Sequence, residues 1–244
     1  MEAGPLSASL AEVAAQNGFS EVISVFACAV EDAALPCQAD VLVSEWMGFH
    51  LLHEAMLDSV LYARLRWLKP GGRMLPEAAS LFAAPVNMDT LCGERFGFLA
   101  DVRGFDLSCL APLAAQQMLE APQVVVVDAA QLIAPPAEVF HLDLNTATPA
   151  DLLVPLGGPV HFIAQKAGIV HGYAVFFKVD FPRDEGRAAV TLSTAPDCPP
   201  THWKQTVIML PDMLGAEVGL RLDCALRLRK DEHNPRHCVL DLEV

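Results

Sequence analysis

The spacing of apolar and polar positions divides the chain into two parts with different predicted structure. Residues 1 to 75 combine segments of helical period with short apolar runs that are typical of buried strands. The predicted elements are a helix at Leu6–Asn17, strands at Val22–Phe26 and Val41–Val43, a helix at Leu51–Leu68 and a strand at Arg73–Leu75. The residues KPGG at Lys69–Gly72 supply the turn that ends the second helix. This alternation predicts an α/β unit with a partly parallel sheet.

After Pro76 the pattern changes to short runs, separated by turn residues, several of which alternate apolar with polar positions. The runs lie at Ser80–Pro85, Val124–Val127, Val139–Leu144, Val160–Ala164, Tyr173–Phe181, Ala189–Leu192, Gln205–Leu210, Leu220–Leu228 and Cys238–Val244. They predict an antiparallel sandwich or barrel. The apolar, partly helical segment Met88–Leu119 interrupts them, and we expect it to bury its apolar side against another surface.

The net charge of the chain limits the classes of molecule that it can be expected to bind. The 244 residues carry a formal net charge of −14, and 53% of them are hydrophobic. Because contacts to the phosphates of a nucleic acid require a basic surface, we expect no direct nucleic-acid binding by a chain this acidic. The charge suits a cationic substrate such as an arginine-rich protein tail, and it is equally compatible with simple solubility.

Cysteine usage and targeting patterns bear on location. Seven cysteines are scattered along the chain without a CxxC pair, and neither a secretory signal nor an apolar run of 18 residues is present. We therefore expect reduced thiols, no membrane partner and a location in the nucleus or the cytoplasm.

Two glutamates stand nine positions apart among mostly apolar neighbours. Glu45 follows the strand at Val41–Val43, and Glu54 lies at or near the start of the next helix. A loop that doubles back would bring the two carboxylates together at the end of the strand, where α/β sheets form binding crevices. Two such close carboxylates repel unless a cation lies between them or one of them holds a proton.

The residues alone leave four interpretations of this pair open. A metal ion would require more ligands, and His50 and His53 do not have the spacing of an HExxH zinc site, so we predict no metal. A glycosidase pair would divide acid and base roles between the carboxylates. A guanidinium would donate paired hydrogen bonds from its planar N–H groups to both carboxylates. In the fourth interpretation Glu45 pairs locally and Glu54 is only a charge at a helix start.

The segment SEWMGFHLLHEAMLDSVLYARLRWLKPGG, at Ser44–Gly72, resembles the double-E loop and the following helix of protein arginine methyltransferases. The resemblance continues, in order, through the arm-like GFDLSCL at Gly104–Leu110, the barrel hairpin VHGYAVFFKVDF at Val170–Phe181, the Thr-His-Trp loop within Leu192–Leu210 and the turn NPR at Asn234–Arg236. It covers essentially all 244 residues.

The resemblance implies a role for each candidate site residue. Glu45 and Glu54 would grip the substrate guanidinium, and His202 would close the active site from the barrel side. The cofactor would be S-adenosylmethionine, the methyl donor. The implied catalytic residues are Glu45, Glu54 and His202, the implied cofactor-binding residues are Glu2, Glu31 and Met56, and the implied substrate-binding residues are Met47 and Trp203.

The resemblance also implies an architecture and an activity. Residues 1–75 would be the C-terminal half of a Rossmann-like methyltransferase domain, and residues 76–244 a substrate-binding β-barrel. The arm, at about 88–119, would dock on a second copy and form a homodimer. The implied reaction is methyl transfer, of the asymmetric-dimethylating type, to guanidinium nitrogens of histones or other arginine-rich proteins.

One departure from the family pattern concerns the cofactor. Members of the family carry a glycine-rich loop that cradles the methionyl part of the donor, and no GxGxG sequence occurs among these 244 residues. We therefore expect a shortened form of the enzyme. The alternative is a catalytically inactive module that dimerises or binds proteins.

Overall fold

In the computed structural model, residues 1–183 and 188–244 are described, and they form a mixed α/β fold. The helices are α1 (Leu6–Gln16), α2 (Met56–Trp67), α3 (Asp89–Phe96) and α4 (Ala111–Glu120). The strands are β1 (Ala39–Val43), β2 (Leu68–Leu75), β3 (Ala78–Val86), β4 (Gln123–Val125), β5 (Ala137–Asp143), β6 (Leu156–Ile163), β7 (Gly168–Phe181), β8 (Val190–Ser193), β9 (Gln205–Ala216), β10 (Arg221–Lys230) and β11 (Cys238–Glu243). Within these ranges no helix combines the length and apolarity needed to cross a bilayer.

The α/β unit is built around a two-stranded parallel sheet. Strands β1 and β2 pair through Val41 with Arg73 and Val43 with Leu75, and α2 crosses between them. Parallel strands require such a crossover, because a tight turn cannot join them. The helix ends at Trp67, two residues before the predicted KPGG stop at Lys69, although those four residues belong to β2 rather than to a loop.

The predicted strand at Val22–Phe26 is wrong. This segment pairs with no strand in the part of the chain that the structure describes, and its Val22 side chain is 78% exposed. Its Phe26 carbonyl accepts a hydrogen bond from the Glu2 N–H at 3.0 Å. An apolar run becomes a strand only when a neighbouring strand satisfies its backbone groups, and here none does.

The predicted β-rich region is confirmed, since each of the nine predicted runs overlaps a strand. One sheet has the order β4-β9-β7-β3-β5, with β8 added to β7, and a second sheet has the order β11-β10-β6. The sheets form a barrel-like arrangement around a shared core. Among the described strands the hydrogen-bonded ladder does not close into a complete ring.

One apolar core joins the α/β unit to the barrel-like sheets. Trp46 and Leu61, from the loop after β1 and from α2, belong to the same buried cluster as Leu81, Phe177 and Leu226 from the sheets. All five side chains are at most 2% exposed. Because burying each such side chain contributes about 1.5–3 kcal/mol, the contact holds the loop after β1 in a fixed position relative to the sheets.

The predicted apolar insertion forms an arm that buries one side only. Met88, Leu91 and Met118 pack against Ala174 and Val207 of the large sheet in a second buried cluster. Phe96 is partly buried against this cluster and Leu99 is buried, whereas five other large apolar side chains of the arm are exposed, namely Phe98, Phe105, Leu110, Leu113 and Leu119.

Candidate functional site

The loop after β1 folds back on itself as predicted. Gly48 and Leu51 exchange two backbone hydrogen bonds, at 3.0 and 3.1 Å, and form an antiparallel bridge. Glu45 lies three residues before this bridge and Glu54 three residues after it, on the two limbs of the hairpin. Both glutamates are exposed, so their carboxylates are open to a ligand.

The hairpin has an uncommon backbone. His50, Leu51, Glu54 and Ala55 all have positive φ, between 42° and 78°. Non-glycine residues rarely adopt this left-handed conformation, since each costs about 1–3 kcal/mol and persists only where its surroundings hold it. Since such residues cannot continue a right-handed helix, α2 begins at Met56, and the predicted start at Leu51 is wrong.

A tryptophan from the barrel-like sheets holds the hairpin. The indole Nε1–H of Trp203 donates to the Met47 carbonyl at 2.8 Å, and both residues are buried. The Trp203 ring also meets Phe177 edge-on, with centroids 5.5 Å apart. The exposed His202 ring lies 3.8 Å from that of Trp203, so the structure brings Met47, His202 and Trp203 together beside the glutamate hairpin.

Two of the three residues assigned to the cofactor lie beside α2. The Glu31 carboxylate accepts a hydrogen bond from the Ser59 hydroxyl at 2.6 Å, and Met56 lies one helical turn before Ser59. The third, Glu2, accepts the N–H of Gly4 at 2.6 Å. Within the described ranges no hydrogen bond or ion pair connects Glu2 with Glu31, whereas Glu31 is tied to α2 through Ser59.

Two histidines of the hairpin are held in their neutral form. Burial, together with the neighbouring His53, lowers the pKa of His50 to about 4. Burial also lowers the pKa of His53, and the nearby His237 adds to that effect. A buried imidazole resists protonation because its charged form loses hydration.

Acid is therefore expected to destabilise the protein through His50. Between pH 6.5 and about 4, His50 is protonated in the unfolded chain but stays neutral in the folded chain. The contribution of His50 to the free energy of unfolding is therefore complete above this range and is lost as the pH falls through it. The loss amounts to about 3 kcal/mol. Urea unfolding at pH 7 and pH 4.5 measures it, and in His50→Leu most of the difference should disappear. An unchanged difference would exclude His50 as the cause, and the exposed His233→Leu serves as the control.

The geometry favours a flat cation with several hydrogen-bond donors as the ligand. Two exposed carboxylates on opposite limbs of one hairpin offer several acceptor oxygens, which match the forked donors of a guanidinium. Of the described side chains, no three His, Cys, Asp or Glu residues are grouped so as to hold a metal ion.

Comparison with known proteins identifies the family. Residues 77–244 match the family described as the arginine methyltransferase oligomerization subdomain. The protein arginine N-methyltransferase 6 of Xenopus tropicalis is 37% identical over 241 residues, which are 97% of this chain and 69% of that protein. The human protein arginine N-methyltransferase 2 is 37% identical over 244 residues, 99% of this chain and 56% of that protein. The chain belongs to the protein arginine N-methyltransferase family.

Solved structures of the family share the fold. The Trypanosoma brucei PRMT1 enzyme-prozyme heterotetrameric complex with AdoHcy matches with a TM-score of 0.85 and 31% identity, over 98% of this chain and 74% of that one. The Arabidopsis thaliana protein arginine methyltransferase 10 matches with a TM-score of 0.84 and 26% identity, over 99% of this chain and 75% of that one. The predicted fold class, part of a Rossmann-like methyltransferase domain followed by barrel-like sheets with an arm, is thereby confirmed.

Sequence reasoning missed one group of residues at the hairpin. Arg236, His237 and Cys238 contact the limb that carries Glu54, although more than 180 residues separate the two segments. The sequence predicts the NPR segment at Asn234–Arg236 only as a turn of a barrel hairpin. No periodicity or local motif indicates such a contact, because it arises from tertiary packing alone.

Proposed function

We propose that this arginine methyltransferase chain transfers methyl groups from S-adenosylmethionine to guanidinium nitrogens of arginine side chains in proteins. The Gly48–Leu51 hairpin is the observation that carries the proposal, since it places Glu45 and Glu54 on facing limbs of one loop. The Trp203–Met47 hydrogen bond fixes that loop against the sheets and supports it.

The chain's own residues act by binding and orienting the substrate. Glu45 and Glu54 accept hydrogen bonds from guanidinium N–H groups, hold its plane and leave one terminal nitrogen free to attack. When bound, the donor would supply an electrophilic methyl carbon on a sulfonium, whose carbon–sulfur bond breaks as the carbon–nitrogen bond forms and leaves a neutral thioether. The glutamates align the nitrogen lone pair with that carbon, and the product loses its proton after transfer, so neither carboxylate has to be a strong base. His202 and Trp203 close the site from the barrel side.

The residues fit one end of the donor. Glu31 and Met56, both beside the start of α2, offer a carboxylate acceptor and an apolar surface, which suit the adenosine part of S-adenosylmethionine. Glu2 is proposed for the ribose hydroxyls, since the Gly4 N–H occupies only one of its two carboxylate oxygens. Relatives are known with AdoHcy and SAH, as their structures state.

We propose histones and other arginine-rich proteins as substrates, in the nucleus or the cytoplasm. The net charge of −14 supports cationic substrates, because a negative field attracts them. As a partner we propose a second copy of the chain, bound through the arm at about 88–119. The match to an oligomerization subdomain and the exposed apolar side of the arm support this dimer.

Loss of one arm anchor is expected to separate the dimer. Phe105 is 71% exposed in the free chain, and an aromatic residue of this kind typically contributes most to an interface. Phe105→Ser should raise the dimer dissociation constant about thirtyfold or more, measured by sedimentation velocity. Val218→Ser, at a position that is also 71% exposed but lies between β9 and β10, should leave it unchanged. A parent chain that stays monomeric at high concentration would refute the dimer.

A methyl-transfer assay tests the proposed function. Labelled S-adenosylmethionine is mixed with an arginine-rich peptide and either the 244-residue chain or this chain joined to the matching cofactor segment of another family member. We expect label on the arginine peptide and none on a peptide with lysine at each arginine. No transfer by either form would refute the proposal.

A non-catalytic module is the second candidate function. It is favoured by the absence of a GxGxG sequence from the 244 residues, since such a loop cradles the donor in the family. Calorimetric titration with S-adenosylmethionine separates the candidates. Micromolar binding to the 244-residue chain would exclude the inert module.

A further inference from the structure

The turn between β10 and β11, together with the first residue of β11, contacts the limb of the hairpin that carries the second glutamate. We refer to this segment, Asp231–Cys238, as the 231–238 turn. The Glu54 N–H donates to the Arg236 carbonyl at 2.6 Å. The His53 ring stacks on that of His237, with centroids 4.8 Å apart and planes 22° apart. Two neighbouring residues of the limb are thus bound by two neighbouring residues of the turn.

A third contact extends this match by one residue. The Cys238 thiol donates to the Leu52 carbonyl, with the sulfur and oxygen 3.1 Å apart, and the Cys238 N–H approaches Nδ1 of His53 at 3.5 Å. Burial raises the pKa of the Cys238 thiol to about 11. The thiol therefore keeps its proton at neutral pH and remains a donor.

The turn is rigid enough to hold the hairpin. One carboxylate oxygen of Asp231 accepts the N–H groups of His233 and Asn234, at 2.7 and 2.8 Å. The Asn234 side-chain carbonyl in turn accepts the N–H of Arg236 at 3.1 Å. The two backbone donors lower the pKa of Asp231, so its carboxylate stays ionised at neutral pH. The carbonyl that binds the Glu54 N–H is therefore fixed from within the turn.

The hairpin requires such support at this point. Glu54 and Ala55 have φ of 78° and 56°, directly before the first residue of α2. Residues in this region of backbone space persist only where their surroundings hold them. A change in the φ of Glu54 would also change the direction of its Cα–Cβ bond, and with it the position of the carboxylate.

We propose that the 231–238 turn is a positioning element for methyl transfer, in which the Arg236 carbonyl and the His237 ring set the direction of the Glu54 side chain. The proposal rests on the proposed function in one respect, namely that Glu54 binds the guanidinium. His237 acts through His53 and Glu54 and does not itself touch the substrate.

Three variants of the turn test the proposal. His237→Ala removes the stacked ring, and His237→Phe keeps a ring without nitrogens. His233→Ala is the matched control, because the His233 side chain is 95% exposed in the same turn. In His237→Ala the Glu54 amide hydrogen should exchange with solvent about tenfold faster. A tenfold change corresponds to the free energy that about one hydrogen bond contributes. His237→Phe and His233→Ala should exchange it at the parent rate.

Kinetics separate positioning from a merely structural role. With the arginine peptide, His237→Ala should lower kcat about tenfold to a hundredfold and leave the KM for S-adenosylmethionine and the urea midpoint unchanged. His237→Phe should restore kcat. Equal Glu54 exchange rates in the parent and His237→Ala would overturn the proposal, as would an equal effect of His233→Ala. If the parent transfers no methyl group, the proposed function fails, and the exchange comparison still decides whether the turn holds Glu54.

Discussion

Glu54→Gln is expected to lower methyl transfer to an arginine peptide by about a hundredfold or more, the cost of a misplaced reacting group. A glutamine offers one acceptor oxygen in place of a carboxylate, and its amide N–H₂ would face the N–H donors of the guanidinium. The variant also removes one of the two negative charges that are proposed to bind the cation. The effect should be on transfer and peptide affinity, since the Glu54 side chain is exposed and the backbone N–H supplies its bond to Arg236.

The matched control is Glu217→Gln. Glu217 is an exposed carboxylate in the turn between β9 and β10, so its neutralisation changes the net charge equally without altering the hairpin. Initial rates with labelled donor at saturating peptide measure both variants. If Glu54→Gln and Glu217→Gln transferred methyl groups at the same rate, Glu54 would have no role in binding the guanidinium.

Gly48→Ala is expected to destabilise the chain by about 3 kcal/mol or more, because the added carbon overpacks a closed contact. A Cβ at Gly48 would lie 1.8 Å from the His53 carbonyl oxygen and 2.6 Å from its carbonyl carbon. Both atoms belong to the backbone, so no side chain can rotate away. The hairpin would have to open, and the bonds at Met47 and Glu54 could not both be kept.

Gly93→Ala is the control for this substitution. Gly93 lies inside α3, and no atom lies within 4 Å of a Cβ built there. Alanine should stabilise that helix by about 0.5–1 kcal/mol. Urea unfolding monitored by tryptophan fluorescence measures both changes. A midpoint for Gly48→Ala equal to that of the parent would show that the hairpin is not closed in solution.

Local patterns predicted most of the sheet structure. Period-two alternation and turn residues located all nine runs after Pro76. In a half-buried antiparallel strand successive side chains point to opposite faces, so apolar and polar residues alternate along the sequence. The return of the loop between Glu45 and Glu54 was also predicted, and the Gly48–Leu51 bridge confirms it. These features depend on residues close together in the chain.

The errors arose where a segment depends on a partner distant in sequence. Val22–Phe26 has the composition of a strand, but a strand forms only beside another one. The helical spacing from Leu52 to Trp67 is genuine, yet the left-handed residues before Met56 delay the helix by five positions from Leu51. Their φ values follow from tertiary contacts that no local pattern records.

In the candidate site, too, the sequence motifs predicted some features and missed others that depend on contacts distant in sequence. The motif resemblance implied that His202 and Trp203 lie at the glutamate loop, and the structure places them there through the bond to Met47, 156 residues away. The roles of the eight candidate residues stay predictions. The 231–238 turn carried no signal in the sequence, because its Arg236 contact uses a backbone carbonyl that any residue could supply.

The affinity for a citrulline peptide tests the central claim most directly. Citrulline has nearly the shape of arginine but replaces the cationic guanidinium with a neutral urea, so it removes the charge and one side of the donor fork. Calorimetric titration of the chain should show that an arginine peptide binds at least about tenfold more tightly than its citrulline counterpart, as expected for a charge held by carboxylates. The difference should vanish in the Glu45→Gln, Glu54→Gln double variant. Equal affinities of the parent for both peptides would contradict the claim that the two glutamates bind an arginine side chain.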